Sequence, residues 1–154
     1  MRRVLTVLAC AALVLTGCGT PHDPEVTFYA AGKTIRVTPS YYCDLRGGNC
    51  VQKQAASMKV PAGKPVQISV PGQLADGRWE VVYSYLDPVS PTKSDLVGKQ
   101  SETLLGRGKD YTYTVTVPRP VNQLVRIEVH EAAAAVLADG SLATRGVWIV
   151  DIEP

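Results

Sequence analysis

The 154 residues carry 16 Lys and Arg against 14 Asp and Glu, with no block of like charge. No basic block suggests nucleic-acid or anionic-lipid binding. The length suits one domain, and 13 Gly with 11 Pro fit many short strands joined by turns rather than long helices.

The chain opens on Arg2 and Arg3, then runs apolar from Val4 to Leu15 except at Thr6. A basic start followed by a short apolar run reads as a secretory signal peptide. The run falls short of the roughly 20 residues of a transmembrane helix, so no span is expected. Leu15-Thr16-Gly17-Cys18 resembles the bacterial lipobox. The resemblance implies cleavage before Cys18 and diacylation of its sulfur. Two acyl chains hold a protein at a membrane stably where one is marginal. Loss of residues 1–17 leaves 137 residues and removes Arg2 and Arg3, so 14 basic residues then face 14 acidic ones.

Residues 18–25 read as the lipidated cysteine and a polar tether containing Pro21 and Pro24. Residues 26–154 read as one domain of short alternating segments. Val26 to Ala30 and Thr34 to Thr38 form an expected hairpin around Ala31-Gly32-Lys33. Ser57 to Val60 is a short strand, and Pro61 to Pro65 a turn. Val66, Ile68 and Val70 share one face of the next strand.

Trp79 to Leu86 is the strongest strand. Trp79, Val81, Tyr83 and Tyr85 lie on one face; Glu80, Val82, Ser84 and Leu86 make the other only half polar. Asp87 to Gly98, with Pro88 and Pro91, reads as a loop. Ser101 to Leu105 is a weak strand and Gly106 to Asp110 a turn. Tyr111 to Val117 alternates aromatic and β-branched residues with threonine. Leu124 to Glu131 places Val125, Ile127 and Val129 opposite Arg126, Glu128 and His130. Gly146 to Ile152 closes the chain. Residues 132–145 hold two readings: the alanines favour a helix, and Asp139-Gly140 favours a hairpin turn. A helix of that length is marginal alone, so a loop or hairpin extension is expected.

Strands near ten-residue spacing, each apolar on one face, imply an all-β fold. The expectation is an immunoglobulin-like antiparallel β-sandwich of about seven to nine strands, with a small barrel as the alternative.

Four cysteines divide by position. Cys10 leaves with the signal peptide and Cys18 takes the lipid. Cys43 and Cys50 remain, an even pair in an oxidising compartment, separated by a segment with two glycines and an asparagine. They are expected to form a disulfide. The spacing is not CxxC and no histidine is near in sequence, which argues against a metal or redox pair.

Five stretches fall in order along the chain: Glu25 to Asp44, Asn49-Cys50, Val60 to Pro71, Trp79 to Tyr85 and Arg145 to Val150. Together they resemble a family of small actinobacterial lipoproteins with a secreted domain of unknown function. The resemblance implies an envelope location and carries over no catalytic residue.

Chemistry-bearing motifs are sparse. His22 falls in the tether, and His130 shares a polar strand face with Glu128, which an exposed strand explains better than a zinc site. Ser90-Pro91-Thr92-Lys93 matches S-x-x-K, but in a proline-containing loop without the S-D-N and K-T-G partners. Gly106-Arg107-Gly108-Lys109 lacks the phosphate-loop pattern. No catalytic residue, metal or cofactor is expected. Seven tyrosines against one phenylalanine suit half-buried rims and binding faces. Tyr41 and Tyr42, beside the cysteine loop, are the candidate contact surface, since extended neighbours point opposite ways and one should face solvent.

The sequence therefore reads as a non-enzymatic binding module, held by lipid on the outer face of the cytoplasmic membrane. Its partners are the membrane, through Cys18, and an unknown protein or envelope component, not nucleic acid. The alternative is a binder of a small apolar envelope ligand or glycan, motivated by the need to cover Val82 and Leu86.

Overall fold

A computed structural model describes residues 23–44, 48–101, 105–138, 140 and 142–154. The signal peptide, Cys18, His22, residues 45–47 of the cysteine loop and residues 102–104 lie outside the described residues.

Two sheets pack face to face. The first holds β1 (Val26–Ala30), β2 (Lys33–Val37), β6 (Val66–Ser69) and β10 (Thr112–Val115), in the order β10-β6-β1-β2. The second holds β3 (Tyr41–Tyr42), β4 (Val51–Gln52), β7 (Arg78–Ser90), β8 (Lys93–Gln100), β11 (Gln123–Val136) and β12 (Leu142–Glu153), in the order β4-β3-β12-β11-β7-β8. β5 (Ala56–Lys59) runs parallel to β12, and β9 (Leu105–Gly106) pairs with β7. A single helical turn, α1 (Gly72–Ala75), joins β6 to β7. With β1, β6 and β10 at positions A, B and E, and β8, β7, β11 and β12 at C′, C, F and G, this is an immunoglobulin-like order. The fold is the expected β-sandwich.

The alternating strands bury the faces their sequences mark. Val26, Phe28 and Ala30 point inward from β1, and Val66, Ile68 and Val70 from the β6 segment. Trp79, Val81 and Tyr85 of β7 meet Ile127 and Val129 of β11 and Trp148 and Val150 of β12 in one core. Trp79 keeps its indole N–H satisfied by donating to the Asp110 carbonyl at 3.2 Å.

Two expectations need correction. Asp87 to Gly98 is not a loop: β7 continues to Ser90 and turns at Pro91-Thr92 into β8, with Leu86 opposite Leu96 and Pro88 opposite Ser94. Past Leu86 the strand has no β11 neighbour, so Pro88 interrupts no ladder on that side. Ser90-Pro91-Thr92-Lys93 is the tip of this hairpin. In β11, Leu124 pairs with Tyr85 and Arg126 with Ser84, so Val125 is the extra residue of a bulge. Leu124 takes the inward position expected of Val125.

Residues 132–136 and 142–145 form the hairpin extension, and Asp139 of the expected turn lies outside the described residues. Ala132 pairs with Thr144 and Val136 with Leu142. The β10 strand is shorter than its sequence pattern and leaves Tyr111 46% exposed.

The sandwich has two distinct ends. At one end stand the N-terminal segment, the cysteine hairpin, α1 and the β11–β12 hairpin. At the other stand the β7–β8 hairpin and the turn at Pro61–Pro65.

Candidate functional site

β3 and β4 form a short ladder, Tyr41 opposite Gln52 and Tyr42 opposite Val51, that closes the cysteine loop. The Cys43–Cys50 disulfide expected from the sequence bridges it, with the Cα atoms 4.1 Å apart. Asp44 stiffens the remainder: its carboxylate accepts from the Gly48 backbone N–H at 2.8 Å and from Asn49 Nδ2 at 2.9 Å. β3 attaches the hairpin to β12 through Tyr41–Val147 and Tyr42–Gly146.

The two tyrosines divide the labour. Tyr41 places its hydroxyl against the disulfide, 2.8 Å from Cys43 Sγ and 3.4 Å from Cys50 Sγ. Tyr42 turns to the core and packs edge-on against Trp148, ring centroids 5.9 Å apart. Both tyrosines are half-buried.

Behind them sits a buried charged group that the sequence reading did not single out. Glu131 follows Ile127 and Val129 on the inward parity of β11 and is 4% exposed. Arg145 Nη1 donates to Glu131 Oε1 at 3.1 Å. The same guanidinium donates through Nη2 to the Tyr42 hydroxyl at close range, and its Nε lies 3.4 Å from the Cys43 carbonyl. Its carbon stands 4.9 Å from the centre of the Tyr42 ring, within cation–π range. Glu131 Oε2 is buried without a hydrogen-bond partner among the described residues. Burial pushes the Glu131 carboxyl above the usual range, and the Arg145 charge offsets only part of that. Burial, followed by the Glu131 charge, pushes the Tyr42 hydroxyl up as well. The clue in sequence was parity: a glutamate two residues after Val129 falls on the apolar face.

Tyr41, Cys43, Glu131, Arg145 and the alanines of the β11–β12 hairpin line a half-open cleft of about 690 Å3, together with Gln73 of α1 and Gly77 just after it. Its walls are apolar alanine surface on one side and the disulfide on the other. A shallower trough of about 730 Å3 runs along Asp23–Glu25, Arg36 and Ser69–Gln73. None of the buried polar side chains lines it, so the cleft at the cysteine hairpin is the better-built site.

The polar face around His130 is a charge ladder. His130 Nε2 lies 2.7 Å from Glu128 Oε2, and Nδ1 lies 3.7 Å from Glu80 Oε1. Arg126 bridges Glu128 at 2.7 Å and Asp151 at 3.1 Å. Burial alone would raise the Glu128 carboxyl; hydrogen bonds from His130 and Arg126, with their charges, overcome it and hold it lowered. Among the described residues, no group of three or more His, Cys, Asp or Glu side chains is placed to hold a metal ion.

Val82 is half covered by its strand neighbours, while Leu86 stays 36% exposed beside Leu96. None of the clefts described above is lined by the Trp79 or Val82 face. Among the described residues, no helix is long and apolar enough to cross a membrane.

Residues 19–153 match the model of a family described as "Protein of unknown function (DUF2771)". Two mycobacterial proteins are similar over 88 residues at 33% identity: "Uncharacterized protein Rv0875c" of Mycobacterium tuberculosis and "Uncharacterized protein Mb0899c" of Mycobacterium bovis. The matched stretch covers 56% of this chain and 54% of each relative, so it spans about half the length of those proteins. No solved structure matches the chain.

Proposed function

The chain belongs to the family of unknown function DUF2771, and from that premise we propose that it is a lipid-anchored, non-enzymatic binding module of the cell envelope. Cys18 carries the lipid on the outer face of the cytoplasmic membrane, and the cleft beside the Cys43–Cys50 hairpin receives a protein or envelope component. The observation that carries this reading is the cleft itself, about 690 Å3, half open and alanine-walled. A cleft of this size, with an alanine wall and convergent polar groups, suits recognition. Its acidic group supports binding over turnover. One Glu131 oxygen is held by Arg145 and the other is enclosed, so neither is offered to a substrate proton. Tyr41 forms the rim, and Tyr42 supports it from behind.

A photo-crosslinking amino acid at Thr144, in the cleft wall, tests the site in the full chain expressed in an actinobacterial host. Thr92, at the tip of the β7–β8 hairpin, is the comparison. The expected result is one recurrent adduct from position 144 and none from position 92. Equal adducts from both positions, or none from either, would overturn the assignment. Radiolabelled fatty acid incorporation into the wild type, lost in Cys18→Ser, tests the anchor separately.

A further inference from the structure

Beyond Glu131 and Gly146 the β11–β12 hairpin leaves the sandwich. β7 stops pairing with β11 at Trp79–Glu131, and on the other side the cysteine hairpin follows β12 as far as the bond from the Cys43 N–H to the Arg145 carbonyl. Val136 pairs with Leu142, four residues before Gly146, so that rung stands at most roughly 13 Å beyond Gly146 at about 3.3 Å per residue. Ala132 to Ala138 carries no charge. Val136 is 65% exposed and Leu137 51%. Projecting strands in solution are usually blunted by charge or proline; the β11 arm from Ala132 to Ala138 carries neither, and the first charge beyond it is Asp139.

The N-terminal segment reaches the sandwich at the same end. The Pro24 carbonyl accepts from Trp148 Nε1 at 2.8 Å, and Asp23 pairs with Lys53 at 3.3 Å. Trp148 lies two residues from Gly146, where the ribbon starts. Cys18 precedes Asp23 by five residues, so it lies within about 17 Å of it along even a fully extended chain. A lipid on Cys18 would thus be tethered to the end of the sandwich from which the ribbon projects. Arg78 and Arg107 flank the ribbon base, where they share a cleft of about 430 Å3 with Asp76 and Leu142. Neither arginine makes an ion pair among the described residues.

We propose that the tip of this ribbon, Val136 and Leu137, docks into the surface of the phospholipid bilayer beside the anchor, with Arg78 and Arg107 toward the headgroup phosphates. Apolar side chains held at an interface sit about 5–10 Å into the headgroup and acyl boundary, which a projecting tip can reach and a flat sandwich end cannot. The inference rests on the reading of Cys18 as lipidated. It also orients the module: the cleft beside the cysteine hairpin opens at the membrane surface, and the β7–β8 hairpin points away.

The molecule supplies its own control. Leu96, at the opposite end, is 65% exposed, the same as Val136. The mature lipidated protein, carrying Val136→Cys or Leu96→Cys labelled with an environment-sensitive fluorophore, is reconstituted into equimolar phosphatidylglycerol and phosphatidylcholine vesicles. Some vesicles also contain lipid bearing a nitroxide near the headgroup. The label at position 136 is expected to be quenched about twofold by the nitroxide lipid, and the label at 96 to be unchanged. Equal signals from the two positions, with the protein still on the vesicles, would overturn the docking and leave the anchoring intact. Protein that does not float with the vesicles would overturn the anchoring, and the docking with it.

Discussion

Glu131 pairs with Gly146 on the last regular rung of the sandwich, and Arg145, the extra residue of the bulge that follows, places its Nη1 3.1 Å from Glu131 Oε1; the glutamate side chain is 6% exposed. The ion pair ties β11 to β12 and, through the Tyr42 hydroxyl and the Cys43 carbonyl, to the cysteine hairpin. Removing one partner of a fully buried pair costs about 3–5 kcal/mol; with Arg145 partly exposed, Arg145→Met should cost about 2–3 kcal/mol by chemical denaturation. Glu131→Gln should cost less, because it removes the buried charge itself. The pH dependence has a definite sign. A carboxyl raised by burial stabilises the fold below the unfolded carboxyl value, and that contribution is lost as pH rises through its folded value. The stability of Glu131→Gln relative to wild type should therefore improve from pH 4 to pH 8, where about pH 4.3 marks the unfolded group. A difference that stays flat with pH would mean that Glu131 is not desolvated in solution.

The opposite end should show the opposite sign. Asp87 accepts from Arg119 at close range and from Asn122 Nδ2 at 2.6 Å. The hydrogen bonds from Arg119 and then Asn122 hold the Asp87 carboxyl below its ordinary value. Its contribution is present above the unfolded value and is lost as pH falls through the folded one. Asp87→Asn should flatten the acid side of the stability profile and leave the neutral side steep. Asn122 is fully buried, with its backbone carbonyl accepting from Gly63 and its Oδ1 from the Arg119 N–H. Asn122→Ala should cost about 1–3 kcal/mol, as expected when buried partners are left unmade.

Gly146 lets Tyr42 and Trp148 meet. A Cβ there would lie 2.8 Å from Trp148 Cη2 and 2.8 Å from Tyr42 Cδ2, closer than either ring tolerates. Gly146→Ala should force the rings apart, reduce the near-ultraviolet circular dichroism of the tryptophans, and cost about 1–3 kcal/mol as overpacking does. An unchanged aromatic signal would mean that the hairpin shifts bodily to make room.

The strands that could be read in sequence are those with one buried face. Val66, Ile68 and Val70 show period-two burial because one side meets the core and the other meets water. β8 could not be read that way: as an edge strand exposed along nearly its whole length, it carries no alternation, and Pro88 and Pro91 gave its hairpin the look of a loop. The bulge at Val125 shifts the parity of β11, so alternation names Val125 where Leu124 is the inward residue. The site was legible in its covalent part alone. Tyr41 and the cysteine pair stand next to one another in sequence, whereas Glu131 and Arg145 meet only because β11 and β12 pair. The parity of Glu131 with Val129 was the one local sign.

The disulfide is the feature whose removal should reach the cleft. Cys43 is buried and lines the cleft wall, whereas Cys50 is exposed, and the bond joins residues seven apart in sequence. A loop this short places its stabilisation at about 2–3 kcal/mol, chiefly by limiting the unfolded chain. Cys43→Ala/Cys50→Ser, which leaves no hydroxyl in the buried position, should lose that amount. The β3–β4 ladder is only two pairs long, so without the bond the hairpin should open before the sandwich does. Hydrogen exchange separates the two events: in the double variant the Asp44 and Lys53 amides, which bond to Gly48 and Ser40, should exchange much faster while β11 keeps its protection. Intact mass measured with and without reductant, reading the gain of two hydrogens, checks the bond in the wild type. Uniformly faster exchange across both sheets would mean that the hairpin is part of the cooperative core and not a separately opening wall of the cleft.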